Sequence, residues 1–104
     1  MLLVLDQAGY LDIYASLADA EKQLETTDIE NGEYEFCDQT GQRFEGQITA
    51  PITSFRSGSF RLIPKQEPDP ALPLSFVARA RKLGRSLKHI RNLEALKVAL
   101  TKSP

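Results

Sequence analysis

Residue types that often mark catalytic sites are scarce in this chain, which has one cysteine and one histidine. Cys37 cannot form an internal disulfide, and a lone thiol fits a reducing compartment. Its place on the strand face with Glu33 and Glu35 could leave the thiol partly exposed, but an ordinary strand cysteine is the favoured interpretation. His89 lies among cations without a catalytic partner nearby. The acidic residues show no calcium-loop spacing, no histidine ligand and no HExxH-like pattern, and the scattered glycines form no phosphate-binding loop. We therefore expect no enzyme activity, no cofactor and no metal site.

Long hydrophobic segments are also lacking. The apolar run Met1 to Leu5 ends at Asp6, far short of a signal-peptide core or a membrane span. We therefore expect a cytoplasmic protein without a membrane partner. The length of 104 residues suits one domain. We predict a single domain over residues 1–104, with an acidic sheet region (1–63), a proline-rich connector (64–73) and a basic helical region (74–104).

Each sign of charge is concentrated in one half of the chain. Residues 1–50 hold eleven acidic side chains and two basic ones, whereas residues 51–104 hold eleven basic and three acidic ones. The halves therefore carry −9 and +8, which gives the total of −1. Such a division indicates charge complementarity, either with another macromolecule or between the two halves of the molecule.

The N-terminal region predicts a β-hairpin. The segments Leu2–Leu5 and Tyr10–Ala15 are separated by a turn signal, and the second alternates with a period of two. This alternation places three residues together on the outward face of the second strand. They are Tyr10, Asp12 and Tyr14.

A second hairpin is predicted after a short helix. Ser16 is expected to cap that helix, which should end near Thr26. In the hairpin, a three-residue loop with Gly41 in the left-handed conformation sets Phe36 opposite Phe44. A four-residue loop would pair Phe36 with an arginine, so hydrophobic pairing selects the shorter loop. The opposite, solvent face then carries Glu33, Glu35 and Glu45.

The C-terminal region predicts helices. Apolar residues from Leu74 onward recur at helical spacing, and a basic helix is expected over residues 79–91. The leucine stripe changes phase at Arg91-Asn92, so two helical pieces should meet there or at Gly84, with Asn92 capping the last helix. The predicted fold is α+β: an antiparallel sheet of four to five strands, a short helix between hairpins and one or two C-terminal helices.

Short motifs in the first half resemble a known class of protein. They are YLDIY at 10–14, SLADAE at 16–21, DIENGEY at 28–34 and DQTG at 38–41. In this order they resemble the front half of small bacterial immunity proteins from toxin–immunity loci, which belong to contact-dependent or polymorphic toxin systems. The resemblance implies a cytoplasmic protein that binds and inhibits one cognate toxin domain, and it implies no catalytic residues.

Several functions remain open from the sequence. An immunity protein would present acidic groups to the basic groove of a toxin such as a nuclease. The residues expected at that contact are Tyr10, Asp12, Tyr14, Glu33, Glu35 and Glu45. In a competing structural interpretation, Tyr10 and Tyr14 cover the sheet beneath the C-terminal helices, and the contact shifts to loops and helix ends. In the alternative, a nucleic-acid-binding or regulatory protein would use the cations of the basic helix. Those cations are Arg81, Arg85, Lys88 and Arg91. The basic helix could also neutralise the acidic sheet within one molecule, and an adaptor role in a larger bacterial assembly is a further reading.

Overall fold

A computed structural model describes residues 1–102 and contains one six-stranded sheet with four helices. The elements in chain order are β1 (Leu2–Asp6), β2 (Tyr10–Tyr14), α1 (Leu17–Gln23), α2 (Thr26–Glu30), β3 (Tyr34–Asp38), β4 (Arg43–Ala50), β5 (Ser59–Lys65), α3 (Leu72–Arg79), β6 (Lys82–Leu83) and α4 (Leu93–Thr101). The strand order is β5-β4-β3-β1-β2-β6, and only β6 runs parallel to its neighbour. The predicted α+β class is confirmed. The expectation of four to five antiparallel strands is wrong, because a sixth, parallel strand is present.

The sheet separates two hydrophobic clusters, because helices cover both of its faces. Helices α3 and α4 cover the first cluster, whose buried members are Leu3, Leu5, Leu11, Ile13, Cys37, Leu72, Phe76, Ile90 and Leu96. Helices α1 and α2 flank the second, formed by Leu2, Val4, Tyr14, Ala20, Phe36, Phe44, Phe60 and Leu62. Strand β1 contributes to both clusters, which explains why its sequence is an unbroken apolar run.

The first hairpin and its helix cap are confirmed. Leu5 pairs with Leu11, and Gly9 takes a φ of 92° in the connecting turn. The Ser16 side chain accepts a hydrogen bond from the Asp19 amide at 3.2 Å. Helix α1 ends at Gln23, earlier than predicted, and the separate helix α2 follows. A single helix reaching Thr26 is therefore wrong.

The second hairpin has the predicted register, with Phe36 opposite Phe44. The Asp38 amide donates to the Gln42 carbonyl at 3.0 Å, which closes a three-residue loop. Gly41 has a φ of 91°, as the left-handed position requires. The sequence pattern alone was sufficient here, because turn geometry and hydrophobic pairing agree on one register.

The predicted basic helix over residues 79–91 is absent. Helix α3 ends at Arg79, and the chain continues as β6 along β2. The Gly84 amide donates to the Leu11 carbonyl at 2.8 Å, and the Ile13 amide donates to the Arg85 carbonyl at 2.7 Å. These bonds satisfy one side of β2, which would otherwise be a bare sheet edge.

Gly84 explains why this segment lies so close to β2. A Cβ atom at Gly84 would overlap the Asp12 Oδ1 atom. The same oxygen accepts a hydrogen bond from the Arg85 amide at 2.8 Å. The glycine that the sequence marked as a weak helical position is therefore a point of close approach between two strands.

The second predicted helical piece is confirmed. Asn92 Oδ1 accepts a hydrogen bond from the Ala95 amide at 2.8 Å, and α4 begins at Leu93. Between the helices, Leu83 and Leu87 pack against the first cluster and Ile90 is buried within it. The apolar residues whose spacing suggested a helix therefore pack into this core from a non-helical segment. Within residues 1–102, no helix has the length and apolar character needed to cross a membrane.

The prolines predicted to form a connector lie partly inside regular elements. Pro64 is in β5, and Pro73 lies in the first turn of α3. The chain turns between these elements at residues 66–71. The connector therefore does not divide sheet from helices, because β6 follows α3 and returns to the sheet.

Replacing Gly84 with alanine tests the close approach of β6 to β2. The added methyl group should displace the Asp12 carboxylate, and we expect Gly84→Ala to cost about 1–3 kcal/mol in the free energy of unfolding. Denaturant unfolding measures this cost. In an Asp12→Ala background the clash is removed, so the same substitution should cost less than about 1 kcal/mol. An equal cost in both backgrounds would contradict the contact.

Candidate protein-binding surfaces

The outward face predicted for β2 is not a continuous contact surface. Tyr14 is only 6% exposed and packs in the second cluster, opposite Leu2. The Arg85 guanidinium lies over its ring at 5.6 Å, and burial raises the pKa of the Tyr14 phenol. Asp12 is occupied by the Arg85 amide. Of the three predicted residues, Tyr10 alone is well exposed, so the expectation that Tyr14 faces solvent is wrong.

Glu35 is neutralised by two arginines. Arg79 donates two hydrogen bonds to its carboxylate, at 2.7 and 3.3 Å, and Arg43 donates a third at 3.3 Å. Arg79 ends α3, which covers this face of the sheet, and its guanidinium also lies over the Phe76 ring at 5.2 Å. The Arg79 hydrogen bond, with help from Arg43, lowers the pKa of Glu35. Glu35 is therefore not a free acidic group on a solvent face.

The other two predicted glutamates have different surroundings. Glu45 forms an ion pair with Lys65 at 3.7 Å, with both side chains about half exposed. Glu33 has a raised pKa, chiefly because the Asp28 carboxylate lies nearby. The three residues therefore do not form one acidic face. Glu35 and Glu45 are paired with basic side chains, whereas Glu33 has an acidic neighbour.

A smaller group of acidic residues surrounds Tyr34. The Tyr34 hydroxyl donates to Asp28 Oδ2 at 3.2 Å, and Asp6 lies opposite Tyr34 across β1 and β3. Burial and the Asp28 charge raise the pKa of Tyr34 well above its ordinary value. The phenol therefore remains a neutral donor at physiological pH. We name this group, with the exposed Glu30 of α2, the acidic end: Asp6, Asp28, Glu30 and Glu33.

Cys37 and His89 lie apart from each other. Cys37 is fully buried under the C-terminal helices, and burial raises the pKa of its thiol to about 12. The alternative of a partly exposed thiol is therefore excluded, because α3 and α4 cover its strand face, and Cys37 is an ordinary core cysteine. His89 is exposed in the loop between β6 and α4. Within residues 1–102, no group of three or more His, Cys, Asp or Glu side chains could hold a metal ion.

Strands β4 and β5 form a long hairpin, residues 43–65, which we name the hairpin arm. Strand β4 pairs with β3 only at Arg43 and Phe44, whereas it pairs with β5 along nearly its whole length. The distal part of the arm therefore extends beyond β3. Phe55 at its tip is 96% exposed. The sequence analysis missed this residue. Its only sequence signal is weak: a single phenylalanine in a turn-rich segment of Pro, Ser, Thr and Gly.

The arm is held in place at its base. Ile29 of α2 lies so close to Gly46 of β4 that a Cβ atom there would overlap the Ile29 side chain. On the outer edge of β5, Glu21 Oε2 of α1 accepts a hydrogen bond from the Leu62 amide at 2.7 Å. Pro64, two residues further along β5, directs its backbone to the same outer edge but has no N–H group. Helices α1 and α2 thus support the arm, and Glu21 of α1 covers part of its outer edge.

The cations predicted for the alternative function do not lie on one helix face. Arg81 immediately precedes β6, whereas Arg85, Lys88 and Arg91 lie in the loop that follows it. Lys82 of β6 joins these four cations, and all five are exposed. None of these five forms an ion pair with another residue in the described part of the chain. They form a basic edge on the opposite side of the sheet from the hairpin arm.

Comparisons of the chain with protein-family models, curated proteins and solved structures found no match. Function is therefore inferred from three surfaces of the molecule. They are the hairpin arm with its exposed phenylalanine, the acidic end and the basic edge.

Removing the Glu35 charge should lower stability in a pH-dependent way. The folded-state pKa of Glu35 lies below its ordinary value of 4.5. Its contribution is therefore fully present above that value and is lost as pH falls through the folded-state pKa. We expect Glu35→Gln to cost roughly 0.5–1 kcal/mol at neutral pH, after allowance for partial exposure, with the difference vanishing at low pH.

Glu45→Gln is the matched control, because the Glu45–Lys65 pair is longer and more exposed. Glu45→Gln should lower the free energy of unfolding by no more than about 0.3 kcal/mol. Urea unfolding of both variants and the parent chain across acid to neutral pH measures these differences. A Glu35→Gln cost that stays constant down to about pH 2 would show that the lost charge is not its source.

Proposed function

We propose that this chain is a non-catalytic binding protein whose ligand is another protein, and that the hairpin arm makes the principal contact. The observation that carries this proposal is the 96% exposure of Phe55 at the tip of the arm. Aromatic side chains dominate the energetics of protein interfaces, and burying one contributes about 1.5–3 kcal/mol. A supported hairpin can present such a side chain with little loss of conformational entropy on binding.

The surroundings of the arm suit a partner with a basic surface. Helix α2 contacts both strands of the arm and carries the exposed Glu30 and the partly buried Asp28. The mutual repulsion of Asp28 and Glu33 would be relieved by a cation of the partner. The tip carries Phe55 beside the exposed Arg56. The partner would therefore combine an apolar pocket and an acidic group at the tip with basic side chains that face the acidic end.

We further propose that the partner is a bacterial toxin domain and that the chain acts as its immunity protein by stoichiometric inhibition. The resemblance of residues 10–41 to immunity proteins supports this finer proposal. The chemistry of Cys37 is consistent with it, because a buried thiol with a pKa of about 12 is not a nucleophile at neutral pH. Contact through the arm replaces the contact predicted through Tyr14 and Glu35, which the fold uses internally.

Growth protection tests the proposal directly. The gene immediately upstream of this one should encode a toxin, and expression of the toxin domain alone in a bacterial host should stop growth. Coexpression of the chain should restore growth, whereas Phe55→Ala should weaken protection. Val98→Ala is the matched control, because Val98 is an exposed apolar residue on α4, away from the arm.

Affinity measurements give the size of the expected effect. Loss of an aromatic anchor costs about 1–3 kcal/mol, so Kd for the toxin domain should rise roughly fivefold to 150-fold in Phe55→Ala. Calorimetry with the purified domain measures this change. Full protection and unchanged Kd in Phe55→Ala would exclude the arm as the contact. Protection that instead requires Arg85 and Lys88, together with salt-sensitive binding of nucleic acid, would favour the alternative function.

A further inference from the structure

The two edges of the sheet differ in how their backbone groups are covered. The outer edge of β5 is covered at Leu62 by Glu21 and lacks a donor at Pro64. At the other edge, the amides of Lys82 and Gly84 donate to the carbonyls of Gly9 and Leu11, at 3.3 and 2.8 Å. Backbone groups alternate in direction along a strand, so those of Leu83 point away from β2. Strand β6 therefore presents an open hydrogen-bonding position.

A cleft of about 550 Å³ lies beside this open edge. It is lined by Lys82, Leu83, Arg91, Asn92, Leu93 and Glu94. Leu83 and Leu93 are partly exposed apolar side chains, and the exposed Lys82 and Arg91 carry positive charge at the cleft. Glu94 is the single acidic side chain of the lining, so cations predominate.

We propose that the β6 edge and this cleft bind an extended, acidic segment of a partner protein, which adds to the sheet as a further strand. The backbone of the segment would pair with Leu83, and its apolar side chains would contact Leu83 and Leu93. Its carboxylates would pair with Lys82 and Arg91. Strand addition of this kind combines main-chain hydrogen bonds with side-chain pockets, and charge complementarity selects an acidic segment here.

This surface is independent of the function proposed for the hairpin arm. Strands β5 and β6 are at opposite edges of the sheet, with four strands between them. At a spacing of about 4.8 Å between neighbouring strands, the two edges are roughly 24 Å apart. One partner can therefore occupy both surfaces, or two partners can bind at once, and loss of one contact leaves the other intact.

Peptide binding to the full chain tests the proposal. The probe is a fluorescent peptide of about eight residues in which Glu and Val alternate, and anisotropy measures its binding. It should bind saturably with a Kd below about 1 mM, whereas the same peptide with Lys in place of Glu should not bind. N-methylation of either alternate set removes the donors from one edge of the peptide. At least one of the two methylated peptides should bind about tenfold more weakly.

Charge reversal in the protein locates the site. The double variant Lys82→Glu/Arg91→Glu should weaken binding at least about tenfold. The matched control Lys22→Glu/Lys97→Glu changes the net charge by the same amount at exposed lysines outside the cleft. It should change Kd by no more than about threefold. Circular dichroism of each variant confirms that the fold is retained.

Four results with the peptides would overturn the proposal. They are absence of saturable binding, equal weakening by both double variants, unchanged binding of both N-methylated peptides, and equal binding of the lysine peptide. Stronger binding of a single-stranded oligonucleotide, lost in Lys82→Glu/Arg91→Glu but retained in the control, would assign the edge to nucleic acid and would also overturn it.

Discussion

The pairing of residues 81–85 with β2 is the interaction on which the rest of the C-terminal half depends. Six residues in strand conformation extend about 20 Å, whereas six residues in a helix extend about 9 Å. The extended segment therefore carries the chain from the end of α3 along the whole of β2. Ile90 and α4 can then close the first hydrophobic cluster. A helix through Gly84 would leave β2 as a bare edge and would move α4 away from this core.

The same arrangement explains the segregation of charge along the sequence. Helix α3 brings Arg79 to Glu35, and β6 brings the Arg85 amide to Asp12, so acidic groups of the first half are paired with groups of the second. Charge complementarity between the halves, one of the readings left open by the sequence, accounts for these contacts. Acidic residues remain at the acidic end, and exposed cations remain on β6 and in the loop after it. Arg56 and Arg61 are further exposed cations, and they lie on the hairpin arm.

Local features of the fold were predictable from the sequence, whereas long-range features were not. The pairing of Phe36 with Phe44 and the caps at Ser16 and Asn92 follow from neighbouring residues. The apolar spacing from Leu83 to Ile90 favoured a helix, because periodicity does not report that a bare strand edge needs hydrogen bonds. The burial of Tyr14 likewise depends on α1 and α2, which cover the face that alternation marked as outward.

The candidate site was less predictable than the fold. From the sequence alone, an acidic strand face suggests a binding surface. In the structure, helix α3 places Arg79 against Glu35 on that face and neutralises it. Phe55 gave little signal, because a single aromatic residue in an irregular segment has no periodicity. Its significance comes from the projection of the hairpin arm, which depends on the different lengths of β3 and β4.

The most direct test of this account is a nuclear Overhauser measurement on the isotopically labelled chain. Strand pairing predicts cross-strand contacts between the Gly84 amide proton and the protons of Leu11 and Asp12, together with strand-type Cα shifts at Lys82 and Leu83. A continuous series of helical contacts between residues three positions apart, from Arg79 through Arg91, would contradict the account.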